Sequence, residues 1–230
     1  MKLTVISSAV FMMFFACGQE SQKIEKNALS NKEYSTSGEI TLGTLDSTVY
    51  HNSYFGFSIE HPGNSWIILN SEQYDIREAQ NKEILNATDQ VWEEMINNNK
   101  YLITFEDSVE YMTSYIAQSI SFMAEGLELF SKKENVNSAL DYLQYSKMYY
   151  KKHYSSSYPT YTVTDMDTSL VGNRMFLTQS ITIEEDNVNK YYQKTYSAQF
   201  GKYLLNIIAV YETEEELIEI KEILETVKWK

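Results

Sequence analysis

One cysteine, two prolines, two arginines, three histidines and eight glycines are all that 230 residues supply of these types, and each shortage closes off a class of protein. A single thiol cannot form a disulfide within the chain, so a folded domain here must be held by its apolar core. The arginines, Arg77 and Arg174, are too few to build a phosphate-gripping cluster. A formal net charge of −13 repels nucleic acid and anionic lipid headgroups alike. With the glycines standing singly, neither a Walker loop nor a dinucleotide fingerprint can be written. His51, His61 and His153 never stand three or four residues apart, so zinc-ligand spacing is missing. No Gly-x-Ser-x-Gly elbow occurs either. The chain is therefore expected to take no cofactor and no nucleic acid, and to hold no metal. Acidic groupings at Asp165 and Asp167 and at Glu184, Glu185 and Asp186 would suit Ca²⁺, but they lack an EF-hand pattern and read as solvated loops.

What is present begins with the one cysteine. Met1-Lys2 is a short positive region, and Leu3 to Ala16 is apolar apart from Thr4, Ser7 and Ser8. That stretch has signal-peptide length and is shorter than the roughly 20 residues of a membrane span. Phe14-Phe15-Ala16-Cys17 resembles a bacterial lipobox, with Phe14 where Leu is preferred and Phe15 where small residues are preferred. The resemblance implies that residues 1–16 are a lipoprotein signal peptide, and that Cys17 is diacylated and becomes the mature N-terminus. It implies a protein of the cell envelope, attached to the membrane through its lipid. Gly18 stands where an acidic residue would retain the protein at the inner membrane. This implies sorting to an outer membrane where there is one, facing either the periplasm or the outside. Residues 18–38 are polar and aperiodic, and read as a disordered tether spanning on the order of 25 Å.

A single domain is expected over 39–230. Ile40, Leu42 and Leu45 read as β-like, Tyr54 to Ile59 as a strand ended by His61-Pro62-Gly63-Asn64, and Trp66 to Leu69 as a short buried strand. Ile76, Ala79, Ile84, Ala87, Val91 and Met95 form one face of a helix over 71–98. Lys100 to Phe105 reads as a strand with Tyr101, Ile103 and Phe105 on one face. Residues 108–118 read as loop, and Ser119 to Glu125 as a strand. A second helix is expected over 136–153 with Asn135 as its cap. Strands follow at 160–167, 174–184 and 189–200, broken at Ser155 to Pro159, Gly172 and Glu184 to Asn187. Gly201-Lys202 suits a two-residue hairpin into a central strand, Tyr203 to Tyr211. Thr213 with Glu216 makes a capping box for a last helix whose face is Leu217, Ile220, Ile223 and Leu224, and Val227 to Trp229 ends as a strand. The pattern predicts an α+β domain with a mainly antiparallel central sheet and helices packed on both faces.

Gly43-Thr44, Tyr50, Asn52, Phe55-Gly56-Phe57 and Pro62 before Trp66 are similar to the opening of the PsbP-like and Mog1-like domains of bacterial lipoproteins. Ser119-Ile120-Ser121, Ala124 to Leu127 and Asp141-Tyr142-Leu143 resemble the middle of that family, and the closing hairpin, helix and Trp229 its end. The resemblance, over about residues 40–229, implies an α/β/α sandwich and binding of protein partners without shared catalytic machinery.

The tyrosines crowd at 142–161 and 191–196, and Tyr145 and Tyr149 share one helix face. Tyrosine presents area and a polar tip at little entropic cost, which suits binding as well as packing. The expectation is a non-enzymatic domain that binds a protein partner or a small ligand, with Tyr145 and Tyr149 as candidate contacts. A hydrolase assembled only in the fold and a structural or assembly lipoprotein remain open alternatives.

Overall fold

The computed structural model describes residues 40–63, 65–69, 99–108, 117–154, 160–184 and 190–230. Cys17, the tether, the helix expected over 71–98, most of 108–118, the Ser155 to Pro159 break and residues 185–187 lie outside the described residues. No described helix is long and apolar enough to cross a membrane.

Two antiparallel sheets make up most of the described chain. The smaller is formed by β1 (Thr44–Asp46), β2 (Val49–Asn52), β3 (Phe57–Glu60) and the chain's last strand, β12 (Lys228–Trp229), in the order β1-β2-β3-β12. The larger contains β4 (Trp66–Leu69), β5 (Asn99–Asp107), β6 (Ser119–Gly126), β7 (Thr160–Val163), β8 (Asp167–Val171), β9 (Arg174–Glu184), β10 (Lys190–Phe200) and β11 (Tyr203–Tyr211). Its order is β4-β5-β6-β11-β10-β9-β7, with β8 also on β9. The expected strand 160–167 is two strands: β7 pairs residues 181–184 of β9 and β8 pairs residues 174–178 along the same edge. Between them Thr164 bridges to Ser180, donating its N–H to the Ser180 carbonyl at 2.9 Å and accepting the Ser180 N–H at Oγ1 at 3.0 Å.

Three helices are described: α1 (Leu127–Glu134), α2 (Ala139–Tyr154) and α3 (Glu214–Glu225). The expected α/β/α sandwich is therefore incorrect. Helices are few among the described residues, and one face of the large sheet is covered by a second sheet with α3 beside it. Tyr50, Phe55, Phe57 and Ile59 of the leading segment pack against Phe105, Ile120, Phe122, Tyr196, Phe200, Leu205 and Ile207 of the large sheet, together with Leu217, Ile220, Ile223 and Leu224 of α3. Phe57 stacks on Phe122 at 5.3 Å between ring centroids, across the two sheets. Short strands with alternating aromatic and aliphatic side chains thus occupy the space a helical layer would take.

Two local expectations are also corrected. Asn135 does not cap α2 but ends α1, in the left-handed conformation (φ 57°) that asparagine tolerates. Tyr101 does not share a face with Ile103 and Phe105. A register shift between Tyr101 and Ile103 turns Tyr101 to the opposite side of the sheet, towards Met123 and Ile208. Other elements form as the residues dictate. Gly201 (φ 61°) opens the β10–β11 turn, Thr213 Oγ1 accepts the Glu216 N–H at 3.2 Å, and β12 is the terminal strand. Glu216 completes the cap by accepting the N–H of Glu212 at 2.8 Å.

The last strand closes the small sheet. Trp229 lies against Phe57, Phe176 and Phe200, donates Nε1–H to the Val171 carbonyl at 2.8 Å, and has the Arg174 guanidinium 5.0 Å from its ring. Gly172 is required beside it: φ is +54°, and a Cβ there would run into the Val227 carbonyl.

Candidate functional site

Alternation along a strand sends successive side chains to opposite faces, and in the large sheet the two faces differ in chemistry. On β6, Ile120, Phe122 and Ala124 join the aromatic core, while Ser119, Ser121 and Glu125 point to the other side. On β10, Tyr196, Ala198 and Phe200 face the core, and Gln193, Thr195 and Ser197 face away; on β11, Asn206 faces away as well. The second face is nonetheless buried. Asn206 is 0 % exposed, Ser197 1 %, Gln193 2 %, Gln179 3 % and Glu125 5 %. Helices α1 and α2 cover part of it through Leu127, Phe130, Tyr142 and Leu143, which pack on Leu204 and Leu177.

Glu125 is the chemical centre of this face. Asn206 Nδ2 donates to its Oε2 at 2.7 Å, and the Tyr142 hydroxyl from α2 also bonds to it. Burial penalises the ionised form and pushes the carboxyl up to about 7, against the opposing pull of the Tyr142 and Asn206 hydrogen bonds. Such a group can hold or release a proton near neutrality. As a general acid it would also need substrate within hydrogen-bond reach, and its surroundings are sheet and helix side chains.

Next to it, Ser197 stands directly opposite Asn206, and Gln179 lies one diagonal step further on β9. Gln179 Nε2, Ser197 Oγ and Asn206 Oδ1 have no hydrogen-bond partner among the described residues. Each such buried group costs about 1–3 kcal/mol if left unsatisfied. Elsewhere on this face Thr104 Oγ1 donates to Ser121 Oγ at 2.9 Å.

Of the expected contacts, Tyr145 lies on α2 with its ring edge-on to Phe130 at 6.4 Å, packed against the α1–α2 apolar cluster. Tyr149 lies on the same helix, and its side chain is outside the described residues. Asp165 pairs with Lys147 at 3.1 Å, Asp167 accepts the Thr168 N–H, and Glu184 pairs with Lys190 at 3.2 Å. No group of three His, Cys, Asp or Glu able to hold a metal occurs among the described residues. His61 Nδ1 accepts the Gly63 N–H at 3.0 Å.

A second feature sits where the leading segment meets the small sheet. Tyr50 donates to the Leu42 carbonyl at 2.5 Å, and Asn52 Nδ2 donates to the Thr41 carbonyl at 3.0 Å and to Tyr50 Oη at 3.1 Å. Gly43 (φ +82°) lets the backbone lie on the Tyr50 ring. This clamp explains why Gly43, Tyr50 and Asn52 occur together. A surface cavity of about 260 Å³ lies beside it, lined in part by Thr44, His51, Ser53 and Lys230.

Glu125 and Asn206 escaped the sequence reading because polar residues alternating with apolar ones signal a solvated face. The available signal was density: Gln179, Gln193, Thr195, Ser197 and Asn206 are uncharged, whereas solvated strand faces carry Lys and Glu.

No family model matches the chain, and no curated protein matches it. Among solved structures it is similar to the solution structure of cyanobacterial PsbP (CyanoP) from Synechocystis sp. PCC 6803, with 11 % sequence identity and a TM-score of 0.45. That likeness covers 84 % of this chain and 99 % of the cyanobacterial one.

Proposed function

We propose that this chain is a lipid-anchored protein of the cell envelope whose domain works by binding a protein or small ligand rather than by catalysis. The observation that carries the reading is Phe14-Phe15-Ala16-Cys17 followed at once by a polar run. Two acyl chains on Cys17 would hold the protein to the membrane, at about 0.8 kcal/mol per buried CH₂. The clamp made by Tyr50 and Asn52 supports this reading mechanically. It fixes Thr41 and Leu42, where the chain leading from Cys17 joins the domain, by hydrogen bonds from buried side chains. The binding part of the reading draws on the acidic, tyrosine-rich composition and on α2, which carries the half-buried Tyr145 and, one turn on, the exposed Met148.

Expression of the native chain with an alkyne-bearing fatty acid tests the anchor. Label on the wild type, none on Cys17→Ser, and partition of only the wild type into detergent are expected. An unprocessed, unlabelled wild type in the soluble fraction overturns the anchor. Photo-crosslinkers beside Tyr145 and Met148 in solubilised envelopes test the binding part, which fails if no reproducible adduct forms.

A further inference from the structure

We infer that Gln179, Ser197 and Asn206 form a buried hydration site, in which internal water bridges the three side chains and continues their hydrogen-bonded line to Glu125. The three share one face of β9, β10 and β11: Ser197 is the direct cross-strand partner of Asn206, and Gln179 lies one row away, directly opposite Thr195 and diagonal to Ser197. Directly opposite side chains in an antiparallel pair start about 5 Å apart, and diagonal ones about 7–8 Å. One water reaches across the first gap and a second across the other. All three residues are at least nine-tenths buried, and each offers an atom without a partner among the described residues.

The donor set selects the ligand. Gln179 Nε2 can only donate, Asn206 Oδ1 can only accept, and Ser197 Oγ can do either. A cation would meet the amide hydrogens of Gln179, and an anion would meet Asn206 Oδ1 with the Glu125 carboxyl behind it. A small neutral molecule that accepts at one end and donates at the other satisfies all three, and water does so with the two to four partners that internal waters have. The line ends on a built group, since Asn206 already spends its Nδ2 on Glu125 at 2.7 Å.

The test is a crystal structure of the full chain at about 1.8 Å or better, with melting of Ser197→Ala and Gln179→Met. Bridging density within hydrogen-bond distance of Ser197 Oγ and Asn206 Oδ1 is expected. Both variants should melt about 2–4 °C lower, because each strands a water that has lost a partner. A dry face behaves in the opposite sense: deleting an unsatisfied buried group relieves its desolvation, and the melting temperature stays level or rises. Either that result or the absence of bridging density overturns the inference.

Discussion

The two faces of the large sheet are made by the same strands and built on different rules. Towards the small sheet, the residues are aromatic and aliphatic, and stability there comes from area and fit: Phe57 on Phe122, Trp229 against Phe176 and Phe200, α3 on the flank. Towards α2, the buried face mixes an apolar group, including Met123, Ile181, Ile208 and Val210, with Glu125, Gln179, Gln193, Thr195, Ser197 and Asn206, and for these polar residues hydrogen bonding decides what each is worth. An apolar face loses energy in proportion to the volume removed. A polar face responds to which partner remains, and a single atom can change the sign of the effect.

The largest expected effect lies on the apolar side. Phe122→Ala, at 0 % exposure and stacked on Phe57 across the sheets, should cost about 3–5 kcal/mol in urea unfolding. A loss under about 1 kcal/mol would mean the small sheet does not depend on this contact. Next comes Glu125. Its carboxyl stays protonated in the fold up to about 7, while in the unfolded chain it ionises near 4.5. The folded state therefore binds the extra proton, and stability falls as pH rises between those values, by at most about 3 kcal/mol. Glu125→Gln keeps the hydrogen-bonding shape without the charge. Unfolding at pH 5 and pH 8 should show that slope in the wild type and a flatter one in the variant, with the variant the more stable at pH 8. Equal slopes would place Glu125 in contact with water. The smallest effect is Thr104→Val on the polar face, which removes the bond to Ser121 at about 1 kcal/mol. If it proves as costly as Phe122→Ala, the contrast between the faces fails.

Much of the strand and helix order was legible where local chemistry and burial agree. The β10–β11 hairpin, α3 with its Thr213 cap, Trp66–Leu69 and the closing strand at Trp229 all follow from turn residues and spacing. Helix α1 was not legible. It has eight residues, follows Gly126 with no side-chain cap, and carries too few apolar positions to show a period. The second sheet was hidden for another reason: β2 and β3 have four residues each, and only their long-range partners identify them as a layer. The Glu125 site stayed hidden because burial of a polar face depends on what packs over it, and α2 lies some twenty residues away in sequence.

The pairing of β12 with β3 joins Lys228 to Ser58 and Trp229 to Phe57. β12 thus locks a strand that lies far from it in sequence, and the smaller sheet cannot close until Lys228 and Trp229 are available. Contacts between such distant parts are slow to form because the intervening loop must first be closed. Closure of the small sheet should therefore wait on Lys228 and Trp229, whose strand acts as the latch for β3.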